Sequence, residues 1–163
     1  MSCMQFFSKM VVFQEVPDEI SLSFSIAGCP FNCEGCSWKN SSVFKKLKPK
    51  PLDDSLYQQY LNKYKNYVSC VCFLGGEWEQ SDLINKLKIA KNNKLKTCLY
   101  TGKTLESVDS DIIKNLDYIK VGAYNKKLGG LKCKTTNQKM YDLNKKVCIN
   151  DKFQKEDLKK GKL

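Results

Sequence analysis

The chain has 163 residues and a formal net charge of +11, with 28 lysines and no arginine. It has no histidine, which excludes Ser-His-Asp and Cys-His catalysis and any zinc site that needs imidazole. Its length suits one domain, and no apolar stretch approaches the roughly 18 residues that cross a bilayer.

In chain order, residues 9–14 read as a short strand and Val16-Pro17-Asp18-Glu19 as the turn after it. Residues 20–26 place Ile20, Leu22, Phe24 and Ile26 at alternate positions, the period of a half-buried strand. A cysteine-rich loop follows. Across 53–67, Leu56, Tyr57, Tyr60, Leu61 and Tyr64 recur at helical spacing, with Asp53 or Asp54 as the cap. Next come a strand at 68–74, an amphipathic helix at 81–92 carrying Leu83, Ile84, Leu87 and Ala90, and a strand at 95–100. A helix over 104–116, with Leu105, Val108, Ile112 and Leu116 inward, leads to a strand at 118–121. Beyond Gly122 the periodicity gives way to loop, with short apolar runs at 140–143 and 147–149. The lysine-rich stretch from Lys145 onward reads as surface. This gives one domain over 1–150 and a lysine-rich tail at 151–163.

Strands alternating with helices imply a parallel sheet with crossover connections. A full eight-unit barrel needs about 200–250 residues, and at roughly 30 residues per unit this chain has room for about five. The expected fold is therefore α/β, a partial, open βα barrel with a mostly parallel sheet. A flavodoxin-like layered sheet is the alternative. Four loops then share one edge of the sheet. The cysteine loop follows Ile26, Gly75-Gly76-Glu77 follows Leu74, Thr101-Gly102 follows Tyr100, and Gly122-Ala123-Tyr124 follows Val121. Parallel α/β proteins place their ligands at that carboxyl edge.

Cys29, Cys33 and Cys36 are spaced C-x3-C-x2-C. Three thiolates on one tight loop can hold three corners of a 4Fe–4S cluster and leave the fourth iron open to chemistry, as a catalytic zinc keeps one position free. The alternative is zinc, with Cys70 or Cys133 as fourth ligand. Structural zinc sites usually bring cysteines in two C-x2-C pairs, and Cys70 with Cys72 is only C-x-C. Gly75 and Gly76 would let backbone approach a ligand closely, and Glu77 suits the opening of a helix; an ordinary strand-to-helix turn would look the same. Thr101 and Gly102 either contact a cofactor or close a turn. Cys70, Cys72 and Cys98 fall in predicted strands and read as core, and Cys3, Cys133 and Cys148 as small apolar or surface residues. Trp38 is placed to shield a cofactor, and Trp78 to pack at a helix start. Nine cysteines, an odd number, with no secretory-type start, point to a reduced, cytoplasmic protein and not a disulfide scaffold. The positive charge attracts nucleic acid non-specifically, but base and bidentate phosphate reading favour arginine, so nucleic acid is not the expected partner.

These motifs together resemble the radical S-adenosylmethionine superfamily. The resemblance implies that Cys29, Cys33 and Cys36 bind a 4Fe–4S cluster whose open iron chelates S-adenosylmethionine. It also implies that Gly75, Gly76 and Glu77 help to hold the cofactor's methionine amino group. Within the superfamily the chain is similar to the small activating proteins of anaerobic ribonucleoside-triphosphate reductase. That likeness runs from Phe13-Gln14-Glu15-Val16-Pro17 through Cys29-Pro30-Phe31-Asn32-Cys33-Glu34-Gly35-Cys36, Leu74-Gly75-Gly76-Glu77 and Leu99-Tyr100-Thr101-Gly102 to Thr135-Thr136-Asn137-Gln138-Lys139. Gly35 stands where many members of the superfamily have an adenine-packing aromatic, as in the activator subgroup. Lys139 stands where that subgroup usually has arginine, which keeps the charge and loses the planar fork.

The activity implied by the resemblance is installation of a glycyl radical on the large subunit of the reductase, with a low-potential donor such as flavodoxin supplying the electron. Activation of another glycyl radical enzyme, or small-molecule chemistry related to the deazaguanine synthase, are the rival enzymes. A non-catalytic metal module that binds nucleic acid is the rival of a different class.

Overall fold

The computed structural model describes residues 3–29 and 47–154. Its centre is an eight-stranded sheet of β1 (Gln5–Val12), β2 (Ser21–Ile26), β3 (Lys50–Pro51), β4 (Cys70–Leu74), β5 (Lys96–Tyr100), β6 (Tyr118–Val121), β7 (Lys139–Asp142) and β8 (Val147–Cys148). The strand order is β3-β1-β2-β4-β5-β6-β7-β8. The middle four, β2, β4, β5 and β6, run parallel, while β1, β3, β7 and β8 add antiparallel flanks. The sheet is therefore mixed. Helix α1 (Asp54–Tyr64) precedes β4, α2 (Gln80–Asn92) joins β4 to β5, and the one-turn α3 (Ser110–Ile113) precedes β6. Among the described residues no helix is long and apolar enough to cross a membrane.

The alternation of side chains divides the sheet into two unlike faces. On one, Leu22, Phe24, Val71, Phe73, Leu99 and Ile119 pack under Tyr57, Leu61, Leu83, Leu87 and Ile112 of the helices. Phe24 and Phe73 stack with centroids 5.7 Å apart, and Tyr57 stacks on Phe73 at 6.0 Å. Burying each such ring is worth about 1.5–3 kcal/mol. The Tyr57 hydroxyl stays satisfied by donating to the Lys86 carbonyl at 3.0 Å. Lys86 is itself buried, and its ammonium meets Asp82 at 2.7 Å and Asp54 at 3.2 Å, which ties α2 to α1. On the other face Cys70, Cys72, Cys98, Tyr118 and Met140 form a second apolar cluster, covered by Val16, Leu131 and Ile149.

Four differences from the sequence pattern have physical causes. β1 starts at Gln5 and not at residue 9, because Gln5 and Phe6 pair with β3. β2 is buried on both faces, serines included; Ser23 and Ser25 satisfy their hydroxyls against Met10 O and Ser8 Oγ of β1. The helix expected over 104–116 is broken into a 3-10 turn at Leu105–Ser107 and α3, with Val108 extended between them. Local polar bonds cause the break: Ser107 Oγ donates to Thr104 O, and Asp109 caps α3 by accepting from Asp111 N at 2.8 Å. Beyond Gly122, Lys139–Asp142 and Val147–Cys148 extend the sheet, and Asn150 locks that end by accepting from Met140 N and donating to Gln138 O. Ile149 is buried there, although the stretch is rich in lysine.

Candidate functional site

The parallel pairing places the loops after β2, β4, β5 and β6 along one edge. The sequence brings them there, and hydrogen bonds then lace each loop to its neighbour. After β2, Ala27 N donates to Gln5 O at 2.8 Å, and the Ala27 carbonyl accepts from Trp78 Nε1 at 3.0 Å. After β4, Gly75 N donates to Tyr100 O at 2.9 Å, and Glu79 N closes a tight turn onto Gly76 O. After β5, Lys103 N donates to Thr101 Oγ1, and Gly122 N donates to Lys103 O.

Within this edge the Gly75-Gly76-Glu77 turn is built tightly. Gly75 has φ +86° and Gly76 φ +115°, a region that L side chains rarely adopt. A side chain on Gly75 would also begin 2.5 Å from Trp78 Cη2, and one on Gly76 3.2 Å from Met4 Cε. The turn sends Glu77 inward, where it is 5% exposed. Its Oε1 accepts from the Thr101 hydroxyl at 2.7 Å, and Thr101 is buried as well. Among the described residues Oε2 has no hydrogen-bond partner. A buried carboxylate oxygen without a donor is costly.

Cys29 ends the described part of the β2 loop and is exposed. Cys33, Gly35, Cys36 and Trp38 lie outside the described residues. Thr101 does more than close a turn, since it supports Glu77; Gly102 continues the bend behind it. Gln138 and Asn137 hold the loop after β6. Asn137 Nδ2 donates to Ala123 O at 3.0 Å, and Gln138 Nε2 donates to Gly122 O at 3.2 Å, a carbonyl shared with Lys120 Nζ. Lys139 is exposed at the start of β7. Sequence reasoning missed the Trp78–Ala27 bond, which joins residues 51 apart; its only sequence signal is a tryptophan directly after Glu77.

The strand cysteines behave as core. Cys70, Cys72 and Cys98 are fully buried, and burial pushes the thiols of Cys70 and Cys98 well above their usual range. A thiol held protonated is a poor metal ligand. Among the described residues no group of three or more Cys, Asp or Glu is arranged to hold a metal ion, and of the C-x3-C-x2-C motif only Cys29 is among them.

The described residues give an α/β frame whose parallel run carries, at its carboxyl edge, the start of the cysteine loop as far as Cys29 and the buried Glu77. The family is shown by its sequence model: the 4Fe-4S single cluster domain matches residues 20–144, well over half of the chain, and the chain belongs to that family. It is an iron–sulfur protein. No curated protein and no solved structure matches the chain.

Proposed function

We propose that this iron–sulfur protein is a radical S-adenosylmethionine activase that installs a glycyl radical on the anaerobic ribonucleoside-triphosphate reductase. The observation that carries the reading is the Glu77 carboxylate, buried, held on one oxygen by Thr101 and without a described partner on the other. An ammonium group is the complement of that oxygen, because a charge-assisted bond repays desolvation better than a neutral one. S-adenosylmethionine carries such a group, so the residues present fit the cofactor. Cys29, Cys33 and Cys36 would hold three irons of the cluster and leave the fourth for the cofactor's amino and carboxylate groups. When bound, cluster and cofactor supply a one-electron cleavage that yields a carbon-centred radical able to abstract hydrogen.

The chain's own residues position and exclude. Gly75 and Gly76 keep side chains out of the turn, Thr101 orients Glu77, and the laced loops limit movement along the edge. The parallel run β2, β4, β5 and β6, with helices packed on one face, supports reading the sheet as an open βα barrel of the radical S-adenosylmethionine type. An open barrel suits a protein substrate that must insert a loop. The similarity of the motifs to reductase activators supports the reductase over other glycyl radical enzymes, with flavodoxin or a similar low-potential donor in the cytoplasm.

The test is to reconstitute the chain anaerobically, reduce it, and add S-adenosylmethionine and the reductase large subunit. A glycyl radical signal on the reductase is the expected result. Cofactor cleavage without that signal would reject the partner and keep the enzyme class.

A further inference from the structure

We propose that Trp78 is a positioning residue that fixes Ala27 and Gly28, the residues just before Cys29, relative to the Gly75-Gly76-Glu77 turn, and so sets where a cofactor bound to the cluster meets Glu77. The inference rests on the functional reading above. Its basis is the placement of one indole between two loops. Nε1 donates to the Ala27 carbonyl at 3.0 Å, two residues before Cys29. A Cβ built on Gly28 would lie 3.2 Å from Nε1. The far edge of the ring covers Gly75, where a Cβ would lie 2.5 Å from Cη2 and 3.3 Å from Cζ2. A glycine on each loop thus leaves room for the ring, and the ring touches both.

Glu77 and Trp78 are adjacent and reach in opposite directions. Glu77 bonds toward β5 through Thr101, and Trp78 bonds toward β2 through Ala27. The tight turn from Gly76 O to Glu79 N carries both. The turn is therefore held from both sides, and the indole links the position of Ala27 and Gly28 to that of Glu77. A ligand that must bond to the cluster and to Glu77 at once depends on that spacing, because small misplacement of a positioning group is expensive.

The test uses Trp78→Phe, which keeps a ring and loses the donor, and Trp78→Leu. In the metal-free chain, amide hydrogen exchange at residues 27–29 should rise about 2- to 10-fold in Trp78→Phe, the equivalent of one net hydrogen bond. Exchange in the α2 residues 83–92 should not change, which shows the fold intact. In the loaded protein, both variants should keep the iron and sulfide content of the parent. Their affinity for S-adenosylmethionine, measured by anaerobic equilibrium dialysis, should fall about 10- to 100-fold. If Trp78→Leu fails to fold, Trp78→Phe decides. Unchanged exchange at 27–29 together with unchanged affinity would overturn the role of Trp78. A parent protein that loads a cluster but binds no S-adenosylmethionine would overturn the functional reading instead, with the exchange result still reporting on the indole.

Discussion

The hydroxyl of Thr101 donates to Oε1 of Glu77 at 2.7 Å, across 24 residues of chain, and both side chains are buried. The bond ties the turn after β4 to the end of β5 and fixes one carboxylate oxygen, while the other has no hydrogen-bond partner among the described residues. A single hydroxyl therefore holds the buried carboxylate in place.

Thr101→Val removes that hydroxyl at constant shape and leaves Oε1 buried without its donor. The expected loss is about 1–3 kcal/mol of unfolding free energy, the cost of one unsatisfied buried group. Urea denaturation of parent and variant measures it, and Thr101→Ser should recover most of the loss. Equal stability in Thr101→Val would mean that Glu77 does not depend on the bond.

Glu77→Gln keeps the shape and removes the charge. The affinity for S-adenosylmethionine should fall about 10- to 100-fold, which corresponds to one charge-assisted bond of roughly 1.5–3 kcal/mol. The iron content should stay at the parent level, since the cysteines are untouched. Equilibrium dialysis beside iron analysis separates the two effects. Loss of iron with affinity would place Glu77 in the support of the cluster loop.

Gly75→Ala meets two penalties at once, a positive φ and a contact of 2.5 Å with Trp78 Cη2. The backbone part alone costs about 1–2 kcal/mol, and the contact adds to it because the indole is held by its bond to Ala27 O. Thermal unfolding of Gly75→Ala and of Gly75→Ala with Trp78→Leu resolves them. The double variant should be less destabilised than the sum of the singles; simple additivity would mean that ring and glycine do not press on each other.

Much of this arrangement was legible in the sequence, and what was missed is of one physical kind. The alternation of Leu22, Phe24 and Ile26 marked β2, because a buried face must repeat every two residues. Asp53 or Asp54 marked the start of α1, and it is Asp53 that accepts from Leu56 N at 2.8 Å. The alternation predicted a half-buried strand, but Ser23 and Ser25 are buried too, because a small hydroxyl packs well when a strand neighbour bonds to it. The broken 104–116 segment kept its apolar spacing, so Val108, Ile112 and Leu116 are buried as expected, although the helix is interrupted at an extended Val108 and resumes only over Ser110–Ile113. Glu77 and Thr101 each stood out at a strand end, but no local pattern joins them. Nor does any local pattern join Trp78 to Ala27. Long-range polar bonds leave no period in a sequence, and this site is made of them.

Asp117 supplies a pH dependence with a definite sign. Burial pushes its pKa up. Donation from Asn144 Nδ2 and Thr97 N, each at 2.9 Å, and the nearby Lys91 ammonium outweigh that and hold the carboxyl below its usual range. A depressed folded-state pKa contributes stability above the unfolded value of about 3.9, and the contribution is lost as pH falls through the lower folded value. The stability difference between parent and Asp117→Asn should be largest near neutrality and shrink between about pH 5 and pH 2. A difference independent of pH would show that the carboxylate's charge is not what the site uses.

The central claim is that a cluster held by Cys29, Cys33 and Cys36 offers one iron to a cofactor that Glu77 also binds. Electron paramagnetic resonance of the reconstituted, reduced chain, recorded before and after S-adenosylmethionine is added, tests it most directly. The account predicts a 4Fe–4S signal that changes on addition of the cofactor and is absent altogether in Cys33→Ala. A signal indifferent to S-adenosylmethionine, or a Cys33→Ala chain with its cluster intact, would contradict it.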